Sequence, residues 1–206
     1  GLSVDEAFLD VTGCHGLFGT GADIAKCIRA RIFRERQLTA SAGVATTKFV
    51  AKVASAQNKP DGLTVVADAR RFLAPLPIER MWGIGPKHAA SLRAAGFSTL
   101  GDLAVASDAE LRALLGNNAS TVRALAQGLD PRPVDPDRLR KSVSVERTFE
   151  RDISTQEALH RECLALADAL AQRLMGLDMH GQTLFVKVKS ATHQVSTRAM
   201  RMPDGA

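Results

Sequence analysis

Residues 3–11 read Ser3-Val4-Asp5-Glu6-Ala7-Phe8-Leu9-Asp10-Val11, two adjacent carboxylates set in an apolar run with the alternation of a β-strand. Charge taken out of water without a partner is costly. Asp5 and Glu6 in such a segment therefore either face water, pair with cations or bind a metal ion. These residues alone leave a solvated strand end and a ligand pair both open, and the choice rests on the residues downstream.

Residues 12–21 form a Gly-rich turn. Over 22–36, Ile24, Ile28 and Ile32 share one helical face while Arg29, Arg31 and Arg36 lie largely off it, which predicts an amphipathic helix. Residues 39–45 are β-compatible, a second helix starting at Thr46 carries Phe49, Val50 and Val53, and Asn58-Lys59-Pro60-Asp61-Gly62 is a turn. With residues 63–66 as a further strand, a mixed sheet covered by helices is expected. From 67 to 130 the pattern changes to short helices. Ser107-x-x-Glu110 is a capping-box pattern, Thr99-x-x-Asp102 a variant of it, and Gly96 and Gly128 suit helix C-termini. The prolines of Asp130-Pro131-Arg132-Pro133-Val134-Asp135-Pro136 suppress helix and predict an extended tether. Beyond it come a strand over 142–151, a helix over 155–177 with Leu159, Cys163, Leu166 and Leu170 at helical spacing, and strands over 182–190 and 195–202. The fold class is α+β, with domains at 1–66, 67–130 and 141–206 and a linker at 131–140.

Composition bounds the partners. Of 206 residues 45% are hydrophobic, with no apolar run long enough to span a bilayer, so no membrane partner is expected. Twenty-seven Lys and Arg against 22 Asp and Glu give a formal charge of +5, which favours an anionic partner. Cys14, Cys27 and Cys163 are odd in number and widely spaced; they indicate neither a disulfide framework nor a thiolate zinc site, and fit a reducing cytoplasm. One tryptophan and no tyrosine argue against single-strand recognition by base stacking. The histidines lack metal-ligand spacing, and no G-x-S-x-G nucleophile pattern occurs.

Three further constellations carry chemistry. Trp82-Gly83-Ile84-Gly85-Pro86-Lys87 before a helix fits a helix-hairpin-helix: glycines expose backbone N–H groups at a helix N-terminus, where a phosphate is favoured, Pro86 suits the first turn and Lys87 adds charge. An ordinary turn between packed helices has the same pattern. Lys59, fixed by the following proline, suits an anionic substrate's phosphates or is a solvated turn residue, and Lys48 and Lys52 lie one helical turn apart. Between Met179 and Pro203 there is no Asp or Glu, while Lys187, Lys189, Arg198 and Arg201 fall in the two strands. Lys187 and Lys189 share one face, opposite Leu184, Val186 and Val188. An acid-free basic face can follow a phosphate backbone, although half-buried strands alternate in the same way.

Taken in order, the opening motif, Ser41-Ala42-Gly43-Val44-Ala45, Lys48-Phe49-Val50-Ala51-Lys52-Val53-Ala54-Ser55, Asn58-Lys59-Pro60-Asp61-Gly62 and Trp82-Gly83-Ile84-Gly85 closely resemble the Y-family translesion DNA polymerases, nearest their bacterial DNA polymerase IV branch. The likeness runs through nearly the whole chain, including Arg140-Lys141-Ser142-Val143-Ser144, which is similar to the first little-finger strand. It implies that 1–66 is the C-terminal part of a palm, 67–130 a thumb with a helix-hairpin-helix, 131–140 a linker and 141–206 an incomplete little finger.

The resemblance also implies an activity, template-directed nucleotidyl transfer by an error-prone DNA-directed DNA polymerase in DNA damage tolerance. Two Mg2+ ions are expected on three carboxylates, with Asp5 bridging both, Glu6 holding the one at the primer 3′-hydroxyl, and the third on an N-terminal strand. Lys59 matches the lysine that contacts the incoming deoxynucleoside triphosphate. Gly83, Gly85 and Lys87 match a DNA-backbone hairpin, and Lys187, Lys189 and Arg198 a grip on the duplex. Implied partners are primer-template DNA, the nucleotide and, in the full-length protein, a sliding clamp; the protein is expected to be a cytoplasmic monomer. The third carboxylate, the fingers, the ribonucleotide-excluding residue, the end of the little finger and the clamp peptide are expected outside residues 1–206, which leaves this chain inactive alone. A catalytically retired relative acting as a DNA-binding or assembly module in a damage-response complex is the alternative, and the intact Asp5-Glu6 pair argues against it.

Overall fold

In the computed structural model, which describes residues 5–137 and 140–202, the helix expected at 22–36 opens on a full capping box. Thr20 accepts from the Asp23 N–H and Asp23 Oδ2 accepts from the Thr20 N–H, satisfying two N-terminal donors at once. A one-turn helix, α1 (His15–Phe18), precedes it, and the capped helix is α2 (Gly21–Arg36). Ser3 and Val4 lie outside the described residues, as do Arg138 and Leu139 of the expected linker. The strand expected at residues 8–11 is irregular chain, with Asp10 closing a turn onto Thr12. Alternation makes a strand only where a ladder partner exists, and among the described residues none pairs with it.

Strands β1 (Ala42–Val44) and β2 (Leu63–Val65) run parallel, with Gly43 opposite Thr64, and α3 (Lys48–Ser55) crosses between them. Gly43 permits that crossing: a Cβ there would fall 2.0 Å from the Ala51 carbonyl oxygen and 2.5 Å from the Ser55 nitrogen. The Asn58–Gly62 turn is tied to α2 by Arg29. Its guanidinium donates to the Ala40 carbonyl at 2.7 Å and to the Asp61 carbonyl and carboxylate at 2.5 and 2.7 Å.

Residues 67–130 fold as short helices: α4 (Ala69–Leu73), α5 (Pro86–Ala94), α6 (Leu100–Val105), α7 (Asp108–Leu115) and α8 (Ala119–Ala126), with 3-10 turns at Ile78–Arg80 and Gly116–Asn118. Both predicted capping patterns are complete boxes, Thr99 with Asp102 on α6 and Ser107 with Glu110 on α7. Gly96 and Gly128 follow helix ends with φ of 92° and 82°. One apolar core runs from Phe49 and Val50 on α3 through Leu73, Ile78, Leu92, Leu100 and Leu111 to Leu125 on α8. These residues all belong to one compact unit, Gly1–Pro136.

The second unit, Asp137–Ala206, holds α9 (Gln156–Gly176), N-capped by Thr155, and an antiparallel hairpin of β3 (Thr183–Lys189) and β4 (Val195–Arg201). The strand expected at 142–151 is irregular, tied to α9 by Arg147 donating to Glu162 at 2.7 Å and Arg173 to the Ser144 carbonyl at 3.0 Å. No residue of α9 is buried, and Leu159 of its apolar stripe is 41% exposed. The architecture is α+β, with a parallel strand pair in one unit and an antiparallel pair in the other. Among the described residues, no helix is long and apolar enough to cross a membrane.

Candidate active site

Glu6 of the opening motif meets α3 at Lys52. Glu6 is half-buried and its Oε1 accepts a charged hydrogen bond from Lys52 Nζ. Asp5, one residue earlier, is exposed. Of the three outcomes open to an adjacent carboxylate pair, Glu6 therefore takes the second: it pairs with a cation. The same ammonium stands 5.6 Å from the centre of the Trp82 ring, and Lys48 Nζ stands 5.3 Å from that of Phe8. Phe8 and Trp82 are themselves tilted neighbours, 6.4 Å between ring centres. Both lysines thus sit where aromatic faces attract cations. The one-turn spacing of Lys48 and Lys52, compatible with a solvated face, instead aims both inward.

Trp82 belongs to the predicted hairpin. Gly83 has φ of 95°, a region that suits glycine, and Gly85 is the N-cap of α5 with Pro86 at its first position. No side chain caps α5, which leaves its first N–H groups for another acceptor. Lys87 is exposed in the first turn. A small cavity of about 150 Å³ beside the hairpin is lined by Trp82, Gly83, Ile84, His88 and helices α7 and α8. Lys59 is exposed in its turn, between Asn58, which donates to Thr64 at 3.0 Å, and the Asp61 that Arg29 holds. These bonds hold the residues on either side of Lys59 and leave its side chain exposed.

In the second unit, the register opposes Lys187 to Thr197, Lys189 to Val195 and Thr183 to Arg201. Directly opposed residues share a face, so Lys187, Lys189 and Arg201 lie on one face. Arg198 opposes Val186 and lies on the other face, with Leu184, Val188 and Met200.

Sequence reading missed the residues that close the site. Asp130 and Arg132, in the segment expected to be a tether, fold back on α3: Asp130 Oδ2 accepts from the Phe49 N–H at 3.0 Å, and the Arg132 guanidinium stands 4.9 Å from the Trp82 ring centre. No local spacing signals a contact between residues 81 positions apart. Trp82 itself carried a signal, as the sole tryptophan of the chain.

A metal is implied here, and the donors suit it in kind: Asp5 and Glu6 offer hard carboxylate oxygens, the ligands that Mg2+ takes. Among the described residues no group of three or more His, Cys, Asp or Glu side chains could hold an ion.

Comparison with known proteins settles the class. Sequence models match at residues 1–56 (impB/mucB/samB family), 66–97 (IMS family HHH motif) and 140–205 (impB/mucB/samB family C-terminal domain). A solved Y-family DNA polymerase chimera of Dbh and Dpo4 shares the fold, with a TM-score of 0.78 at 23% identity over 95% of this chain and 56% of that one. The chain belongs to the impB/mucB/samB family. Curated relatives that it resembles include bacterial proteins named DNA polymerase IV. That of Desulfatibacillum aliphaticivorans is 41% identical over 98% of this chain and 51% of the relative. That of Halorhodospira halophila is 42% identical over 98% and 57%, and that of Ralstonia nicotianae 44% over 95% and 56%. The chain spans about half the length of the curated relatives it matches.

Proposed function

We propose that this chain is the palm remainder (1–66), thumb (67–130), linker (131–140) and part of the little finger (141–206) of a translesion DNA-directed DNA polymerase. The observation that carries this reading is the match, over 95–98% of the chain, to bacterial proteins named DNA polymerase IV. Asp5 and Glu6 are proposed to hold the catalytic Mg2+ ions together with a third carboxylate. When bound, those ions activate the primer 3′-hydroxyl and neutralise the departing pyrophosphate.

The chain's own residues do the rest by position and charge. Lys52 orients the Glu6 carboxylate, since a charge-assisted bond fixes both partners. Lys59 receives the triphosphate on a rigid turn. Gly83, Gly85 and Lys87 present N–H groups and charge to one phosphate of the DNA backbone, which positions the duplex without reading sequence. The β3–β4 hairpin adds Lys187 and Lys189 from one face and Arg198 from the other. In the cell the protein acts as a cytoplasmic monomer on primer-template DNA, with a sliding clamp engaged by the full-length protein.

Primer extension tests this. Asp5→Ala in the full-length gene product should abolish Mg2+-dependent extension and leave DNA binding mostly intact; retained extension overturns the role given to Asp5. The 206-residue chain alone should bind primer-template DNA weakly, with an affinity that falls steeply with salt, and should not extend it. Extension by this chain overturns that part of the proposal.

A further inference from the structure

Helix α3 lacks a cap of its own. Its N-cap residue Thr47 makes no side-chain cap bond, and its hydroxyl donates instead to the Gly128 carbonyl at 3.4 Å. The first N–H groups of a helix have no intrahelical partner, and a carboxylate there satisfies a donor and complements the helix dipole. In α3 that carboxylate is Asp130, supplied from a distant segment. Its side chain is fully buried, and Arg132 brackets it through Nε at 2.6 Å and Nη2 at 2.8 Å. Burial pushes the Asp130 carboxyl up, but the Arg132 guanidinium and the backbone N–H groups of Arg132 and Phe49 outweigh it and hold it below the usual aspartate range. Lys48 Nζ donates to the Pro133 carbonyl at 2.9 Å, which fastens the same segment a second time over the first turn of α3.

Arg132 also faces the site. Its guanidinium and the Lys52 ammonium stand over one indole ring, at 4.9 and 5.6 Å from its centre, and Lys52 pairs with Glu6. A chain of contacts therefore runs from Glu6 through Lys52, Trp82, Arg132 and Asp130 back to the start of the helix that carries Lys52. An apolar side chain could tether the segment equally well, because a buried ion pair is no better than a well-packed hydrophobic pair for stability alone. What the pair adds is geometry: a planar fork fixes a carboxylate in its plane and an aromatic ring on its face.

We propose that Asp130 and Arg132 are positioning residues, which cap α3 from outside, brace the Trp82 ring, and so set where α3 presents Lys52 to the Glu6 carboxylate. The polymerase reading supplies what the site does; the brace itself is a property of this chain and is tested without DNA or nucleotide.

Three measurements on the 206-residue chain test the brace: amide exchange, the emission of Trp82, which is the sole tryptophan in a chain without tyrosine, and the resonances of 13C-methylated lysines. Arg132→Gln should speed exchange at the Phe49 amide at least tenfold and shift the Trp82 emission, while amides in α6 and α8 keep their rates. Arg132→Lys, which keeps a cation for the ring and loses the fork, should restore the emission but not the Phe49 protection. The Lys52 resonance, set by the Trp82 ring and the Glu6 carboxylate, should move toward that of an exposed lysine in Arg132→Gln as it does in Glu6→Gln. A Lys52 resonance unchanged in Arg132→Gln overturns the proposal. Should Arg132→Gln lose protection in α6 and α8 as well, the isosteric Asp130→Asn takes its place under the same criteria. A full-length protein that fails to extend primers leaves these readings standing, so failure of the brace and failure of the polymerase reading are distinguishable.

Discussion

Gly43 decides how closely α3 can lie on β1. Any side chain there meets the helix backbone, with the Ala51 carbonyl 2.0 Å from the first added carbon, and backbone in a packed unit cannot step aside as a flexible side chain can. Gly43→Ala should therefore destabilise the first unit by about 1–3 kcal/mol or more, as overpacking does. Gly176, at the end of α9 with no atom within 4 Å of an added carbon, is the reference: Gly176→Ala should be neutral or stabilising by up to about 1 kcal/mol. Urea unfolding of the two variants checks both, and a Gly43→Ala change within about 0.5 kcal/mol would show that the β1–α3 contact is looser than this close approach implies. At this scale Glu6 was legible from the opening motif, because a carboxylate in an apolar segment needs a partner. Which partner it takes was not. The Lys52 that answers it sits 46 positions away, and the helix pattern that named Lys48 and Lys52 pointed first to a solvated face.

Helices were read well wherever local chemistry sets their ends. The Thr99-x-x-Asp102 box is formed in full, with Asp102 Oδ2 accepting from the Ser98 and Thr99 N–H groups at 2.8 Å each. Thr99→Ala removes the hydroxyl that caps the Asp102 N–H and should cost about 1 kcal/mol, while Thr99→Ser should cost little; equal losses in thermal unfolding would assign the effect to the lost methyl instead. The strands expected at 8–11 and 142–151 failed for the opposite reason, since a strand is a relation between segments and local alternation cannot supply the partner. Where both partners were present, at β3 and β4, strand bounds were legible to within one residue, but the register was not. Pairing puts Arg201 on the same face as Lys187 and Lys189 and turns Arg198 to the face of Val186 and Met200. If the duplex lies on the lysine face, Lys187→Gln and Arg201→Gln should each reduce the salt dependence of DNA binding by about one unit of slope, and Arg198→Gln by less. An Arg198 effect as large as that of Lys187 would place the duplex differently on the hairpin.

Across the whole chain, the prolines after Gly128 read locally as a tether, and their docking on α3 had no local signal. The first unit continues to Pro136, because Asp130, Arg132 and Pro133 dock on α3 before the chain leaves it. That docking has a consequence in acid. Asp130 is held below the usual aspartate range despite its burial, through Arg132 and the Phe49 N–H, and Asp102 is lowered chiefly by the Ser98 and Thr99 N–H groups. Asp23, lowered first by the Thr20 hydroxyl, Glu79 by Arg93, and Glu110 by the Ser107 hydroxyl shift in the same direction, and all five belong to the first unit. A carboxylate with a folded pKa below its unfolded value, about 3.9 for Asp and 4.3 for Glu, binds fewer protons folded than unfolded. Its stabilisation is fully present above the unfolded pKa and is lost as pH falls through the folded one. The urea midpoint of the first unit, followed by Trp82 emission, should therefore hold steady from pH 7 to about pH 5 and fall progressively below about pH 4. Asp130→Asn should make that acid limb shallower, because the variant has no proton to take up at this site. A midpoint that stays level down to pH 3, or an acid limb of unchanged steepness in Asp130→Asn, would mean that the Asp130–Arg132 pair contributes no net electrostatic stability to the fold.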